Sequence, residues 1–277
     1  MKVLTAEKCG FCLGVRNAIK IAEQTLEKES PVYSLGPVIH NQDVVSRLAD
    51  KGLVTVESLD KIPGGTVLIR SHGATKAMIE DIQSRGLSIV DATCVLVKHV
   101  QQKAARLEAE GWMVVIAGDP RHPEIISIAG HTESAVVAET PEQMKELAGS
   151  HEKTALLCQT TQSYGFFSNM AAAAVNADFS EIRAVNTLCR ESQRRQQAAK
   201  QLSEKVDVMF VLGGLHSANT RKLAELCSEG CKNVYHLQNK SELKQEMLRD
   251  CSSAGITAGA STPDWVIQEF TETIREI

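Results

Sequence analysis

Short apolar runs recur along the chain, each followed by a small polar turn and then by a pattern of helical period. Residues 31–35 lead through Gly36-Pro37-Val38-Ile39-His40-Asn41 into a helix pattern at 42–51. Residues 66–69 lead through 70–75 into a pattern at 76–85, with Gly86 as its stop. The run at 112–117 leads into 118–124, and the run at 154–158 leads through 159–163 into a helix at 164–176. The run at 208–212 leads through 213–220 into a helix ending at Cys227, and the run at 255–258 leads through 259–264 into a C-terminal helix. Apolar runs of four to six residues alternating with longer helices predict an α/β fold with mainly parallel sheets. Right-handed crossovers then bring the polar turns to the carboxyl ends of the strands.

A second periodicity is longer. Cys94 closes Asp91-Ala92-Thr93-Cys94 after the apolar run Ser88-Ile89-Val90, and a helix pattern follows from Leu96. Cys189 ends a similar stretch, Val185-Asn186-Thr187-Leu188-Cys189, and Cys12 stands in Gly10-Phe11-Cys12-Leu13-Gly14-Val15, both ahead of helix patterns. The spacing is 82 residues from Cys12 to Cys94 and 95 from Cys94 to Cys189. It is 100 from Cys189 through the C-terminus to Cys12, 88 before the end and 12 after it. Three cysteines at thirds of a chain predict three similar lobes sharing one site. The expected boundaries are 1–93, 94–188 and 189–261, with the helix at 262–277 packing back near the first lobe.

Composition narrows the chemistry. The 277 residues carry a net charge of −4, which gives no reason to expect nucleic acid or an anionic membrane as partner. No apolar run is long enough to span a bilayer, and Met1-Lys2-Val3-Leu4-Thr5 lacks a signal-peptide core, so the chain reads as cytoplasmic. Eight cysteines in that compartment stay reduced and are thiols, nucleophiles or metal ligands.

The turns hold four of the eight histidines, His40, His72, His122 and His216. Beside them stand Asn41, Ser71, Thr160, Thr161, Ser217, Asn219, Thr220, Ser261 and Thr262. Imidazoles, hydroxyls and amides at helix N-termini make a donor-rich hollow suited to a phosphate or diphosphate. Arg70 and Arg121 are too few for an arginine clamp, and no Walker loop or G-x-G-x-x-G is present. Glu124, two residues after His122, suits a general acid, or alternatively a first-turn glutamate favoured by the helix dipole.

Thiolates at Cys12, Cys94 and Cys189 suit an iron–sulfur cluster, and three ligands on a four-iron cluster leave one iron open. A rival reading pairs Cys9 and Cys12 with Cys227 and Cys231 as a zinc site, or makes the first pair a redox dithiol. Cys158 and Cys251 read as plain residues.

The ordered series Gly-Phe-Cys-x-Gly-Val, Gly-Pro-x-x-His-Asn, Ser-His-Gly, Asp-Ala-Thr-Cys, His-Pro-Glu, Gln-Thr-Thr, Asn-Thr-x-Cys, Ser-x-Asn and Thr-Ala-Gly-Ala-Ser-x-Pro-Asp spans residues 10–264. It resembles the 4-hydroxy-3-methylbut-2-enyl diphosphate reductase family. The resemblance implies three similar lobes around a [4Fe-4S] cluster with three cysteine ligands, Cys12, Cys94 and Cys189. It implies an allylic diphosphate bound by His40, His72, His122, Ser217, Asn219 and Ser261. Ser192 offers a further hydroxyl where the pattern has threonine. Glu124, helped by Thr160, would deliver protons to a leaving hydroxyl. The products implied are isopentenyl and dimethylallyl diphosphates, with electrons from a ferredoxin or flavodoxin-type carrier.

The chain also departs from that pattern. Val95 stands in place of proline, Ser127 in place of glycine, and His216-Ser217-Ala218-Asn219 in place of Asn-Ser-Ser-Asn. Glu191 brings a carboxylate that repels a diphosphate unless it faces away, and Cys9 is an added thiol. These changes motivate a second reading, a relative with the same cluster and cleft and a different substrate. A third reading is a non-enzymatic iron–sulfur redox sensor or carrier, against which Glu124 and the hydroxyl-rich turns argue.

Overall fold

A computed structural model describes residues 1–215 and 217–277; His216, grouped above with the turn histidines, and the side chain of Ala218 lie outside the described residues. The chain opens with β1 (Lys2–Thr5), α1 (Leu13–Leu26), β2 (Val32–Leu35), α2 (Gln42–Asp50), β3 (Leu53–Val56), β4 (Thr66–Ile69), α3 (Lys76–Ser84) and β5 (Ser88–Asp91). It continues with α4 (Val95–Ala109), β6 (Met113–Ala117), α5 (Pro123–Ala129), β7 (Val136–Ala138), α6 (Pro141–Glu146), β8 (Lys153–Cys158), α7 (Tyr164–Val175) and β9 (Glu181–Ala184). It ends with α8 (Arg190–Ser203), β10 (Val208–Leu212), α9 (Ala218–Ser228), β11 (Asn233–Leu237), β12 (Ser253–Ala258) and α10 (Asp264–Glu276).

The strands form three four-stranded sheets, and every pairing among the described residues is parallel. The three sheets share one order: β3-β2-β4-β5, β7-β6-β8-β9 and β11-β10-β12-β1. The third sheet takes its last strand from the N-terminus, so the chain is a triple repeat whose phase is offset from its ends. The repeat extends to single hydrogen bonds. The glycine after the second strand in each order donates its N–H to the last carbonyl of the edge strand: Gly36 to Val56 (2.8 Å), Gly118 to Ala138 (3.0 Å) and Gly213 to Leu237 (2.9 Å).

The described chain forms two compact units. One comprises residues 1–16, 39–47 and 190–277 and holds the sheet ending in β1; the other comprises 17–38 and 48–189 and holds the other two sheets. In the first unit, alternation along β10 divides the core. Val208, Phe210 and Leu212 face Ile267, Phe270 and Ile274 of α10, while Met209 and Val211 face Ala199 and Leu202 of α8 and Leu223 of α9. In the second unit, Met113, Val115 and Ala117 of β6 pack with Phe167 and Met170 of α7. Val114 and Ile116 pack with Val97, Val100 and Leu107 of α4 and with Ile125 and Ile128 of α5. Central strands covered on both faces must be apolar at every position, which is why they read as unbroken runs. Each fully buried side chain of this size contributes about 1.5–3 kcal/mol. No helix among the described residues is long and apolar enough to cross a membrane.

Candidate functional site

The strand ends aim the predicted residues by count as well as by type. His40, His122 and Ser217 each lie four residues past the glycine that follows β2, β6 and β10. His72, Thr161 and Ser261 each lie three residues past the end of β4, β8 and β12. The three candidate cysteines repeat in the same way. Cys94 N–H donates to the Ser71 carbonyl (3.0 Å), Cys189 N–H to Thr160 (2.8 Å) and Cys12 N–H to Ala260 (3.1 Å). Each acceptor is the second residue beyond β4, β8 or β12. Each cysteine is the residue immediately before a helix of 14 or 15 residues, α1, α4 or α8.

In the unit that includes β2 to β9, six predicted residues form one connected line. Cys94 bonds Ser71, whose neighbour His72 meets His122 edge-on, with ring centroids 5.6 Å apart and planes at 79°. His122 caps α5: its Nδ1 accepts the Glu124 N–H at 3.2 Å. With Nδ1 accepting, a neutral ring carries its proton on Nε2 and can donate there. Glu124 is 3% exposed. Its Oε1 accepts the Thr160 N–H at 2.6 Å, and the Thr160 hydroxyl lies 3.0 Å from Oε2. Burial pushes the carboxyl above the ordinary glutamate range, and the two Thr160 hydrogen bonds offset only part of that. The Thr160 carbonyl accepts Cys189 N–H, which closes the line. Thr187, two residues before Cys189, accepts Cys158 N–H at 2.8 Å and donates to the Cys158 carbonyl, clamping the cysteine segment to the end of β8.

In the other unit the remaining six are connected as well. Cys12 bonds Ala260, and the adjacent Ser261 hydroxyl donates to the His40 carbonyl at 3.2 Å. A Cβ added to Gly214 would lie 3.2 Å from that same carbonyl, so the turn after β10 passes close to His40. The Gly214 carbonyl accepts Ser217 N–H, and Ser217 caps α9 through Thr220 N–H. Asn219 stands in the first turn of α9, and its Oδ1 accepts the Ser192 hydroxyl at 3.4 Å. Among the described residues its Nδ2 is buried without a hydrogen-bond partner. A buried amide donor left so costs about 1–3 kcal/mol, which an arriving acceptor recovers.

The cysteines separate into two groups. Cys12, Cys94 and Cys189 are partly exposed, and Val15 N–H donates to the Cys12 sulfur at 3.4 Å. Thiolates at the starts of long helices are the soft, dipole-stabilised donor set that an iron–sulfur cluster takes. Burial drives Cys158 and Cys227 up to about 12, and raises Cys9 and Cys251 as well. Cys227 and Cys231 point their sulfurs at backbone carbonyls in the core beside Met209 and Val211, whereas Cys9 packs with the core on the other face of that sheet. The zinc pairing of these cysteines therefore has no geometric basis in this unit.

Two departures from the family pattern are resolved. Glu191 is 41% exposed and pairs with Arg194 one helical turn on, at 3.6 Å. Ser127 is 2% exposed and fully engaged within its unit. Thr161, one of the turn hydroxyls, is the count-equivalent of His72 and Ser261. One residue was not singled out from the sequence. Arg195, 3% exposed, donates Nη2 to the Gly10 carbonyl at 2.7 Å and so grips the loop that carries Cys12. The available signal was its place on α8, six residues after Cys189, facing the same way as Ser192 and Gln196 at helical spacing.

Comparison with known proteins bears on the whole chain. The sequence model of the LytB protein family matches residues 3–275. The 4-hydroxy-3-methylbut-2-enyl diphosphate reductase of Geobacter sulfurreducens is 41% identical, over 100% of this chain and 98% of its own length. A solved (E)-4-hydroxy-3-methyl-but-2-enyl diphosphate reductase, described as the terminal enzyme of the non-mevalonate pathway, is 38% identical. It covers all of both chains with a TM-score of 0.74. The solved E-1-hydroxy-2-methyl-but-2-enyl-4-diphosphate reductase of Plasmodium falciparum is 24% identical and shares the fold. Its TM-score is 0.93 over 98% of this chain and 87% of that one.

Proposed function

The chain belongs to the LytB protein family, and we propose on that premise that it removes the hydroxyl of 4-hydroxy-3-methylbut-2-enyl diphosphate reductively, giving isopentenyl and dimethylallyl diphosphates. The C–O bond breaks, a C–H bond forms and the hydroxyl departs as water, with two electrons and two protons consumed. The observation that carries the reading is Glu124: a buried carboxyl held above its ordinary range, hydrogen-bonded to Thr160 and one turn-residue from a histidine that caps the same helix.

The residues divide the work by charge. His40, His72, His122, Ser217, Asn219 and Ser261, with Ser192 beside Asn219, are the proposed donors to the diphosphate. The start of α9 adds to that field. Burial disfavours the Glu124 carboxylate and holds its proton more tightly than an ordinary glutamate does. When Oε2 is protonated, it donates to the Thr160 hydroxyl, which then turns its own hydrogen outward as the next donor. That pair is the proposed route of the proton to the leaving oxygen. Cys12, Cys94 and Cys189 fit as the ligands of a [4Fe-4S] cluster. Bound there, the cluster supplies the electrons and, at the iron without a protein ligand, Lewis acidity. A ferredoxin or flavodoxin-type carrier is the proposed electron source.

Anaerobically purified protein should carry about four irons and lose most of them in Cys94→Ser. Zinc in their place overturns the cluster assignment. With a reduced viologen dye, the protein should convert the allylic hydroxy-diphosphate to the two C5 products. Binding of that compound without turnover assigns the chain to a relative with another substrate.

A further inference from the structure

We propose that Ser127 is a positioning residue that couples the loop carrying His72 to the helix carrying Glu124; this rests on the function proposed above. Ser127 stands on α5, three residues after Glu124, and its side chain is sealed from solvent. Its hydroxyl accepts from Gln101 Nε2 at 2.6 Å and donates to the Ala74 carbonyl at 3.3 Å. Gln101 lies two turns along α4, the helix that begins immediately after Cys94, and is itself 6% exposed. Ala74 is two residues after His72. One hydroxyl thus joins the three segments that carry Cys94, His72 and Glu124.

The residue between His72 and Ala74 has no freedom to differ. Gly73 has φ +83°, and a Cβ there would lie 2.5 Å from Ser127 Oγ, 2.6 Å from Gln101 Nε2 and 3.2 Å from Thr93 Cγ2. The loop therefore lies flat on the Ser127–Gln101 pair. Two neighbouring bonds hold the same strap: His131 Nε2 to the Ala74 carbonyl at 3.0 Å, and Lys76 N–H to the Gly130 carbonyl at 3.1 Å. The family pattern has glycine at position 127. Glycine there would leave the buried Gln101 amide without this acceptor. By holding Ala74 to α5, Ser127 fixes where His72 stands against His122, the 5.6 Å ring contact from which both imidazoles address an anion.

The test is a double-mutant cycle read by calorimetry of inorganic diphosphate binding to the anaerobic holoenzyme. Ser127→Ala should weaken diphosphate about fivefold, the equivalent of one ordinary hydrogen bond. In a His72→Ala background the same substitution should change nothing further, because the group it positions is gone. Gln101→Met, which removes the other partner of the hydroxyl, should shift affinity in the same direction and stands in if Ser127→Ala does not fold. A residue that only packs would lower the melting temperature and leave the affinity unchanged, and that result overturns the proposal. An equal loss in both backgrounds overturns it too. If the wild type binds no diphosphate, the function it rests on fails first; if the wild type binds and the cycle shows no coupling, only the Ser127 link fails.

Discussion

Replacing Glu124 by glutamine separates its chemistry from its packing. Gln has the same shape and can keep both contacts: Oε1 accepts the Thr160 N–H now at 2.6 Å, and Nε2 donates to the Thr160 hydroxyl at 3.0 Å. Fold and packing should survive. What is lost is the proton, and with it about 10²–10⁴-fold in turnover, the range for a positioned general acid. The stability change has a sign that depends on pH. An ordinary glutamate titrates near about 4.3 in the unfolded chain, and burial raises Glu124 above that in the folded one. Below the unfolded value both states are protonated and the carboxyl changes nothing. Between the two values the unfolded chain ionises while the folded carboxyl keeps its proton, and stability is lost until the pH passes the raised value. The loss is about 1.4 kcal/mol for each unit by which the folded value exceeds the unfolded one. Glu124→Gln, fixed neutral, escapes that loss. Its melting temperature should match the wild type at low pH and exceed it increasingly up to a plateau. Anaerobic melts of both proteins from about pH 5 to about pH 9, with turnover at each point, make the comparison. Parallel melting curves would refute the raised carboxyl, and turnover within tenfold of wild type would refute the proton donor.

The remaining predictions follow from single contacts. Asn219→Ala removes a buried amide whose Nδ2 has no partner among the described residues, so the melting temperature of the free protein should hold or rise. Diphosphate affinity should fall by about 10- to 150-fold, the worth of a hydrogen bond to a charged group; calorimetry and a melt on the same sample read both. Val95→Pro places proline at the first position of α4, where no intrahelical N–H bond is lost. Cys94 before it has φ −56° and ψ 132°, the extended conformation that a following proline requires. The substitution should stabilise by about 0.4–1 kcal/mol, seen in urea unfolding, and leave turnover unchanged.

The six junctions read from the sequence are the six inner strands, β2, β4, β6, β8, β10 and β12. Inner strands such as Val67-Leu68-Ile69 and Val208 to Leu212 are buried at every position and declare themselves as apolar runs. The edge strands do not. Glu181 to Ala184 is exposed at three of four positions and Lys2 to Thr5 at both ends, so neither shows a run or an alternation to find. β5 was legible only because Asp91-Ala92-Thr93-Cys94 follows it. The candidate residues were legible where they lie in turns or the first turns of helices, by residue type. Residues deeper in helices were not. Arg195 and Gln101 sit in polar stretches that read as solvated faces, and only the fold shows that these particular positions turn inward.

The triple repeat also explains where the chemistry must break symmetry. Counting from the glycine after β2, β6 and β10, the residues at six are Gln42, Glu124 and Asn219. Two of these three equivalent helix starts therefore carry an amide and one carries an acid. A helix N-terminus favours a carboxylate, but burial opposes it at Glu124, and an ionised one would repel a diphosphate. Under the proposed roles, the amide of Asn219 would receive a phosphate oxygen and the acid of Glu124 would give up a proton. Exchanging the two, Glu124→Asn with Asn219→Glu, keeps net charge and the repeat intact. If the assignment of roles is right, that double variant should bind diphosphate more weakly than Glu124→Asn alone and show no turnover, because it places a carboxyl beside Ser192 and Ser217 and leaves Thr160 without its proton source.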